Sequence, residues 1–533
     1  MNKTLLACAI ALASAGTASA ATIIPVNMDP AGSGLNDPTA ATPVGNNPGT
    51  TIGQQRTIAY QFAADLWGAV LESDADIHVQ ASFQPLNCTA TSGVLGSAGA
   101  NFINRDFPGA VPGTWYGEAL ANAIAGEDTI PEEDEILSRF NANLGTTGCL
   151  ENSGWYYGLD GNTPAGMINF IDVVMHEIGH GLNFQGFNNL PTGAQFQNMP
   201  DIYSSFVFDN DSGLAWIDMT NTQRITAATG DALVWTGENV QDLVPVALDP
   251  LQRLFVSGTL SASYDYGTAA FGAPATPANF TGEIVLVNDG SANPTQGCVA
   301  STPGAYAGKV ALVDRGTCTF EIKAKFAEDA GATAVIVANN VDSIAGMAED
   351  PTVAATVPTV MVSQSAGNAI KAALPGVNAA MATVPGAYAG ADEEGRARLY
   401  APAVLATGSS FSHFDVSHVP NAVMEPSINQ DLDANLRLDL TPALFRDLGW
   451  GVNQGSATTR GGACDTGVPV VEEPGIIGGA NLQAADSLCR TTTTGNSAYK
   501  SCIAPFVARL RDIGSLPPAP RNPKLDPVAI CLK

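Results

Sequence analysis

The run Ile168-Asn169-Phe170-Ile171-Asp172-Val173-Val174-Met175-His176-Glu177-Ile178-Gly179-His180-Gly181-Leu182 decides how this chain is read. Ile168, Ile171, Val174, Met175, Ile178 and Leu182 recur at helical spacing and mark one apolar side, and Pro164 is placed to open that helix. His176 and His180 stand four apart on one helix face, so both imidazoles reach one metal ion. Imidazole suits Zn²⁺. Glu177 lies beside them, placed to take a proton from water at the metal.

A catalytic zinc takes three protein ligands and keeps a fourth position open. The chain has 5 His, which leaves His78, His413 and His418 as further imidazoles. His78 falls in the alternating stretch Ile77–Phe83 and reads as a structural or surface side chain. His418 stays open as a ligand. So does Glu238 of the Glu238-x-x-x-Asp242 stretch, because in another zinc peptidase class a Glu on a second helix completes the site. Asp415 is placed either to orient an imidazole from behind or to cap a turn.

At Gly408-Ser409-Ser410-Phe411-Ser412-His413-Phe414-Asp415, followed by Val423-Met424-Glu425-Pro426, the chain resembles a family. With His176-Glu177-x-x-His180 these stretches are similar to metzincin-type zinc metallopeptidases of the leishmanolysin-like arrangement. There the third His arrives after an insertion, in a Ser-His-aromatic-acidic stretch, and a Met-containing turn follows. The resemblance implies a zincin-type α+β catalytic domain, Zn²⁺ on His176, His180 and His413, Glu177 as general base, and Met424 as an apolar floor that does not ligate. The compact metzincin pattern would place Gly and His three and six residues after His180; Asn183 and Gly186 stand there instead.

The insertion carries its own resemblance. Gly308-Lys309-Val310-Ala311-Leu312-Val313-Asp314-Arg315-Gly316-Thr317-Cys318-Thr319-Phe320, with Lys323 to Val337, is similar to a protease-associated (PA) domain, a non-catalytic α/β module with an inferred role in substrate access or interaction. Its texture agrees. Ile284–Val287, Val310–Val313, Thr333–Ala338 and Thr356–Val362 read as strands, and Phe320–Ala330 and a stretch ending near Leu374 read as helices.

Working outward, Ile58, Phe62, Leu66, Val70 and Leu71 give a helix starting near Gln54, and Ile77–Phe83 is a strand that could pair with extended substrate. Residues 21–50 read as a loose arm, and 117–142 as a small-residue helix followed by an acidic one. Thr441 reads as an N-cap, Pro442 as the first helical residue and Gly449 as the stop. The expected organisation is a targeting segment 1–20, a discontinuous zinc peptidase domain 21–252 plus 395–452, an inserted PA domain 253–394, and a small Cys-containing C-terminal region 453–533.

The targeting segment has Lys3, the apolar stretch Leu5–Ala13 and a small-residue site ending at Ala20, and predicts export. Leu5-Leu6-Ala7-Cys8 resembles a lipoprotein box but has too little chain before it. Cleavage after Ala20 removes Cys8 from the 9 Cys and leaves an even set. These predict disulfides within three clusters: Cys88 with Cys149, Cys298 with Cys318, and an undetermined pairing of Cys464, Cys489, Cys502 and Cys531. No later run is long enough to span a bilayer. The formal charge of −28, from 51 acidic and 23 basic residues, argues against nucleic-acid or anionic-membrane partners and leaves protein or peptide substrates. The expected function is a secreted zinc endopeptidase. The alternative is an exported PA-domain binding or adhesion protein with a vestigial zinc site, against which the intact Glu177 argues.

Overall fold

The computed structural model describes residues 19–429, 431–522, 524 and 526–532. Most of the expected targeting segment, including Cys8, therefore lies outside the described residues. The chain divides into two compact units: one runs up to Asp249 and resumes at Gly390, and the other is Pro250–Ala389.

The first unit is built on a four-stranded sheet of β1 (Ile23–Asn27), β2 (Ile77–Gln84), β3 (Gly96–Ala100) and β4 (Ile136–Asn141), ordered β1-β2-β4-β3. β1, β2 and β4 are parallel; β3 runs antiparallel along β4 and forms an edge. The start of the expected loose arm is thus part of the sheet, because Ile23 to Asn27 pair with Ile77 to Ala81, while the rest of 21–50 is largely irregular. The idea that the 77–83 strand receives substrate is corrected for the same reason: it is flanked on both sides, and its backbone groups are already spent.

α1 (Ile52–Val70) packs on the sheet, capped by Thr51, whose side chain accepts the Gln54 N–H. α2 (Glu118–Ala125) is the expected small-residue helix. No acidic helix follows it. Residues 127–135 form a loop instead, where Asn122 Oδ1 takes the Thr129 N–H at 2.8 Å and its amide reaches Glu135 at 3.0 Å. α3 (Phe170–Gly181) starts at the Asn169 cap rather than at Pro164, because Asn169 Oδ1 accepts the Ile171 N–H at 3.0 Å. α3 is buried on all sides. Trp67 of α1 donates its indole N–H to Met175 O at 3.0 Å, and Trp450 donates to Leu182 O at 2.9 Å.

α4 (Thr441–Leu448) begins one residue earlier than expected. Thr441 lies inside the helix with its hydroxyl on Asp439, and Gly449 ends it in the left-handed region at φ 110°. α5 (Gly478–Thr492) and α6 (Asn496–Asp512) follow. They belong to the same unit: α5 lies along α1, and Phe506 stacks on Phe62 at 5.7 Å between ring centres.

The Pro250–Ala389 unit holds a sheet whose core is four parallel strands: Thr281–Leu286, Val310–Asp314, Ala334–Ala338 and Thr359–Val362. Strand residues alternate between two apolar clusters. Val310, Leu312 and Ile336 join Ala366 and Ile370 of the helix Gln364–Ala373, while Ala311, Val313, Val335 and Val337 join Ala324 and Ala327 of the helix Phe320–Asp329. Burial on both faces explains the continuous apolar runs in the sequence.

Among the described residues four disulfides form: Cys88–Cys149, Cys298–Cys318, Cys464–Cys531 and Cys489–Cys502. They suit an oxidising compartment. Among the described residues no helix is long and apolar enough to cross a membrane.

Candidate metal centre

The helical repeat places His176 and His180 one turn apart on α3. Three backbone carbonyls then orient three rings. His176 Nδ1 donates to Val423 O at 2.8 Å, His180 Nδ1 to Phe184 O at 2.9 Å, and His413 Nδ1 to Ser409 O at 2.7 Å. A carbonyl can only accept, so each Nδ1 carries the hydrogen and each Nε2 presents a lone pair. Those three Nε2 atoms lie 3.1, 3.2 and 3.2 Å apart. Without hydrogens between them they repel, and a shared cation removes that repulsion.

The spacing fits zinc: Zn–N bonds of about 2.05 Å at tetrahedral angles separate two nitrogens by about 3.3 Å. The rings are buried, and burial pushes the His176 imidazole down to about 4 and that of His180 to about 3, with the neighbouring His176 adding to the second shift. Burial, then His180 and His176, also hold His413 well below the usual imidazole range. All three are therefore neutral near pH 7, as a metal ligand must be. Among the described residues this is the group of three that could hold a metal ion, and its donors suit Zn²⁺.

The turn after α3 makes the His180 contact. Asn183, at the position where the compact pattern has Gly, adopts the left-handed region at φ 85°. The chain doubles back, Phe184 N–H reaches Gly179 O at 3.0 Å, and Phe184 O meets the His180 ring. Gly186, where that pattern has its third His, donates its N–H to Ser412 Oγ at 3.3 Å. The downstream loop thus brings His413 beside the place that a nearer residue would otherwise serve.

That loop is held by aromatic packing. Phe411 lies against Trp216 at 4.4 Å and Tyr203 at 5.5 Å, and the Tyr203 hydroxyl donates to Phe411 O at 3.1 Å. Phe414 packs on Phe184 at 5.1 Å, and its N–H reaches Met424 O at 2.9 Å. Met424 is fully buried beneath α3, with its sulfur where a side chain on Gly179 would stand, 2.7 Å from a Cβ built there. It does not ligate.

Glu177 faces the edge strand. A Cβ on Gly96 would fall 2.4 Å from Glu177 Oε1, so the close approach needs glycine there. Burial pushes this carboxyl up to about 8, opposed by a hydrogen bond from the Ala98 amide; a cation held by the neighbouring imidazoles would draw it back toward the carboxylate form.

The other candidates lie elsewhere. His78 is on β2, 3.7 Å from Glu135. His418 is buried with its ring 4.9 Å from that of Phe414, outside the three-imidazole group. Glu238 and Asp242 are exposed on the helix Glu238–Ala247 and complete nothing here. Asp415 caps a turn: its Oδ1 takes the Ser417 N–H at 2.9 Å, and none of the three rings rests on it. Sequence reasoning missed Gly96, Ala98, Asn183, and the Tyr203–Trp216 aromatic support. Only the Gly96-Ser-Ala-Gly-Ala100 run, free of bulk, could have signalled a close approach.

Comparison with known proteins covers part of the chain. Signal peptide peptidase-like 3 of Oryza sativa subsp. japonica is 33% identical over 148 residues, 26% of this chain and 27% of its own length. Probable leucine aminopeptidase 2 of Aspergillus fumigatus is 38% identical over 97 residues, 18% of this chain and 17% of its own. The chain thus spans about a quarter or less of the curated relatives it matches. Among solved structures, the zinc aminopeptidase BSAP of Bacillus subtilis is 22% identical, covering 28% of this chain and 36% of that chain, with a TM-score of 0.20. The aminopeptidase from Aneurinibacillus sp. strain AM-1 is 16% identical over 34% of this chain and 41% of that one, with a TM-score of 0.18. The family model described as the PA domain matches residues 280–370, a segment inside the Pro250–Ala389 unit that contains none of the imidazoles, Glu177 or Met424.

Proposed function

We propose that this protein is an exported zinc-dependent endopeptidase. The observation that supports it most is the convergence of three Nε2 lone pairs on one point, with Glu177, the residue after His176, buried on the same helix. A structural zinc site needs no such carboxylate.

His176, His180 and His413 hold the metal. Zn²⁺ held by these rings would supply Lewis acidity toward a peptide carbonyl and make an adjacent water easier to deprotonate. A Glu177 carboxylate oxygen accepts the proton of the attacking water and then hands it to the leaving amine nitrogen as the C–N bond breaks. Gly96 leaves Glu177 room, and the Ala98 N–H aims the carboxylate. β3 is the strand suited to receive an extended substrate by edge addition, since among the described residues no strand pairs with its outer side. Its Gly/Ala side chains keep that edge clear.

The test is cleavage of casein or gelatin with and without a chelator, beside Glu177→Gln. That variant is expected to keep its zinc and lose activity about 10³-fold; full activity in it overturns the mechanism. The aminopeptidases that this chain resembles are matched over less than half of their own length. A ladder of internal fragments supports the endopeptidase; release of N-terminal residues alone overturns it in favour of an exopeptidase.

A further inference from the structure

Lys323 stands in the first turn of the helix Phe320–Asp329 and is fully buried. A buried ammonium ordinarily rests on a carboxylate. Here Nζ donates to Gln296 O at 2.7 Å, and its other neighbours within bonding reach are two sulfurs: Cys318 Sγ at 3.3 Å and Cys298 Sγ at 3.4 Å. The nearest carboxylates act only through space and are engaged elsewhere. Asp289 accepts the N–H groups of Ser291, Cys298 and Val299, and Asp314 takes Thr295 and Lys371. The cation is therefore set against a disulfide, which carries no charge for it to neutralise.

Two independent features point the same way. Cys318 directly precedes Thr319, whose hydroxyl caps this ten-residue helix, so its sulfur lies at the positive end of the helix dipole. Both Cys298 and Cys318 are half-exposed, whereas each of the other three disulfides has one buried cysteine: Cys149, Cys489 or Cys531. An ammonium and a helix N-terminus stabilise thiolate, and accessible sulfur permits attack.

We propose that Cys298–Cys318 is a thiol-exchange site, opened selectively by an external low-molecular-weight thiol because Lys323 holds the leaving thiolate. The external thiolate attacks one sulfur and bonds to it. The Cys298–Cys318 bond breaks, and its electron pair leaves on the other sulfur, which rests as thiolate against Lys323 Nζ. A second external thiol then attacks the mixed disulfide. The products are one external disulfide and two reduced cysteines, so two electrons pass from the external thiols to the protein. Burial pushes the Lys323 ammonium down to about 8, so it remains charged near neutrality.

The full chain is exposed to graded glutathione without denaturant, quenched by alkylation, and mapped by mass spectrometry. Cys298 and Cys318 are expected to label about tenfold faster than any other pair. Lys323→Met is expected to slow that labelling about tenfold while the other three pairs stay protected. Opening of another pair first, opening of all four together, or an unchanged rate in Lys323→Met each overturns the proposal. Should Lys323→Met expose the other pairs through misfolding, the order of opening in the unaltered chain decides alone.

Discussion

His413 is the residue on which the chemistry turns. Its Nε2 closes the triangle with His176 and His180, while His418, five residues on, is turned into packing against Phe414. His413→Ala is expected to lower zinc affinity by about 100-fold or more, because two imidazoles remain of three. His418→Ala is expected to keep full zinc content and lose about 1–3 kcal/mol of stability through the cavity it leaves. Zinc content after dialysis, with a denaturant melt, separates the two; loss of zinc in His418→Ala and not in His413→Ala would falsify the assignment. Gly96 makes a second residue-scale prediction. Gly96→Ala puts a methyl group onto Glu177 Oε1 and is expected to cut cleavage about 100-fold with the zinc retained. Activity within twofold of the parent would show that the carboxylate has freedom the structure denies it.

At the scale of elements, the C-terminal helices are part of the framework. α5 lies along α1, α1 packs on α3, and Phe506 of α6 stacks on Phe62 of α1. Arg509 of α6 meets Asp433, and Asn481 of α5 donates to Asn435 O at 3.1 Å. Phe506→Ala is expected to cost about 3–5 kcal/mol in urea unfolding. A change below about 1 kcal/mol would mean that this helix only rests on the surface. The helix pattern of α1 and α3 was legible in sequence because large apolar side chains recur at helical spacing in both. The C-terminal helices were not. Gly, Ala and Thr make up much of α5, which packs closely through small side chains, so few large apolar residues mark its buried side. The acidic stretch 127–135 misled in the opposite sense: its side chains serve loop contacts, Glu135 accepting from Asn122 and the His78 N–H and Asp128 from the Ile130 N–H, rather than a solvated helix face.

At the scale of the whole molecule, the first unit carries buried carboxyls with no cation bonded to them. Burial pushes Asp172 up to about 8 and Asp439 to about 7, against backbone N–H donors from Ala434 and Val423 that pull each down. Their folded values exceed the unfolded value near 4. Between these limits the folded state holds protons that the unfolded chain has released, so stability is full below about pH 4 and is lost as pH climbs through 7 to 8. Urea unfolding of chelated protein is therefore expected to show lower stability at pH 8 than at pH 5, by about 1–3 kcal/mol. Asp172→Asn keeps the Ala434 contact and is expected to flatten that slope; a slope unchanged in the variant removes Asp172 as its source.

The sequence by itself determined the helix with its paired imidazoles and neighbouring carboxylate, the α/β character of the 280–370 segment, and the pairing of Cys88 with Cys149 and Cys298 with Cys318. Each follows from periodicity, from continuous apolar runs, or from two cysteines standing apart from all others along the chain. Only the tertiary structure decided which distant side chain completes the triangle, which strand is the free edge, and how the last four cysteines pair. Those outcomes depend on strand order and on aromatic packing between segments some 200 residues apart, such as Tyr203 with Phe411, and no local pattern encodes them.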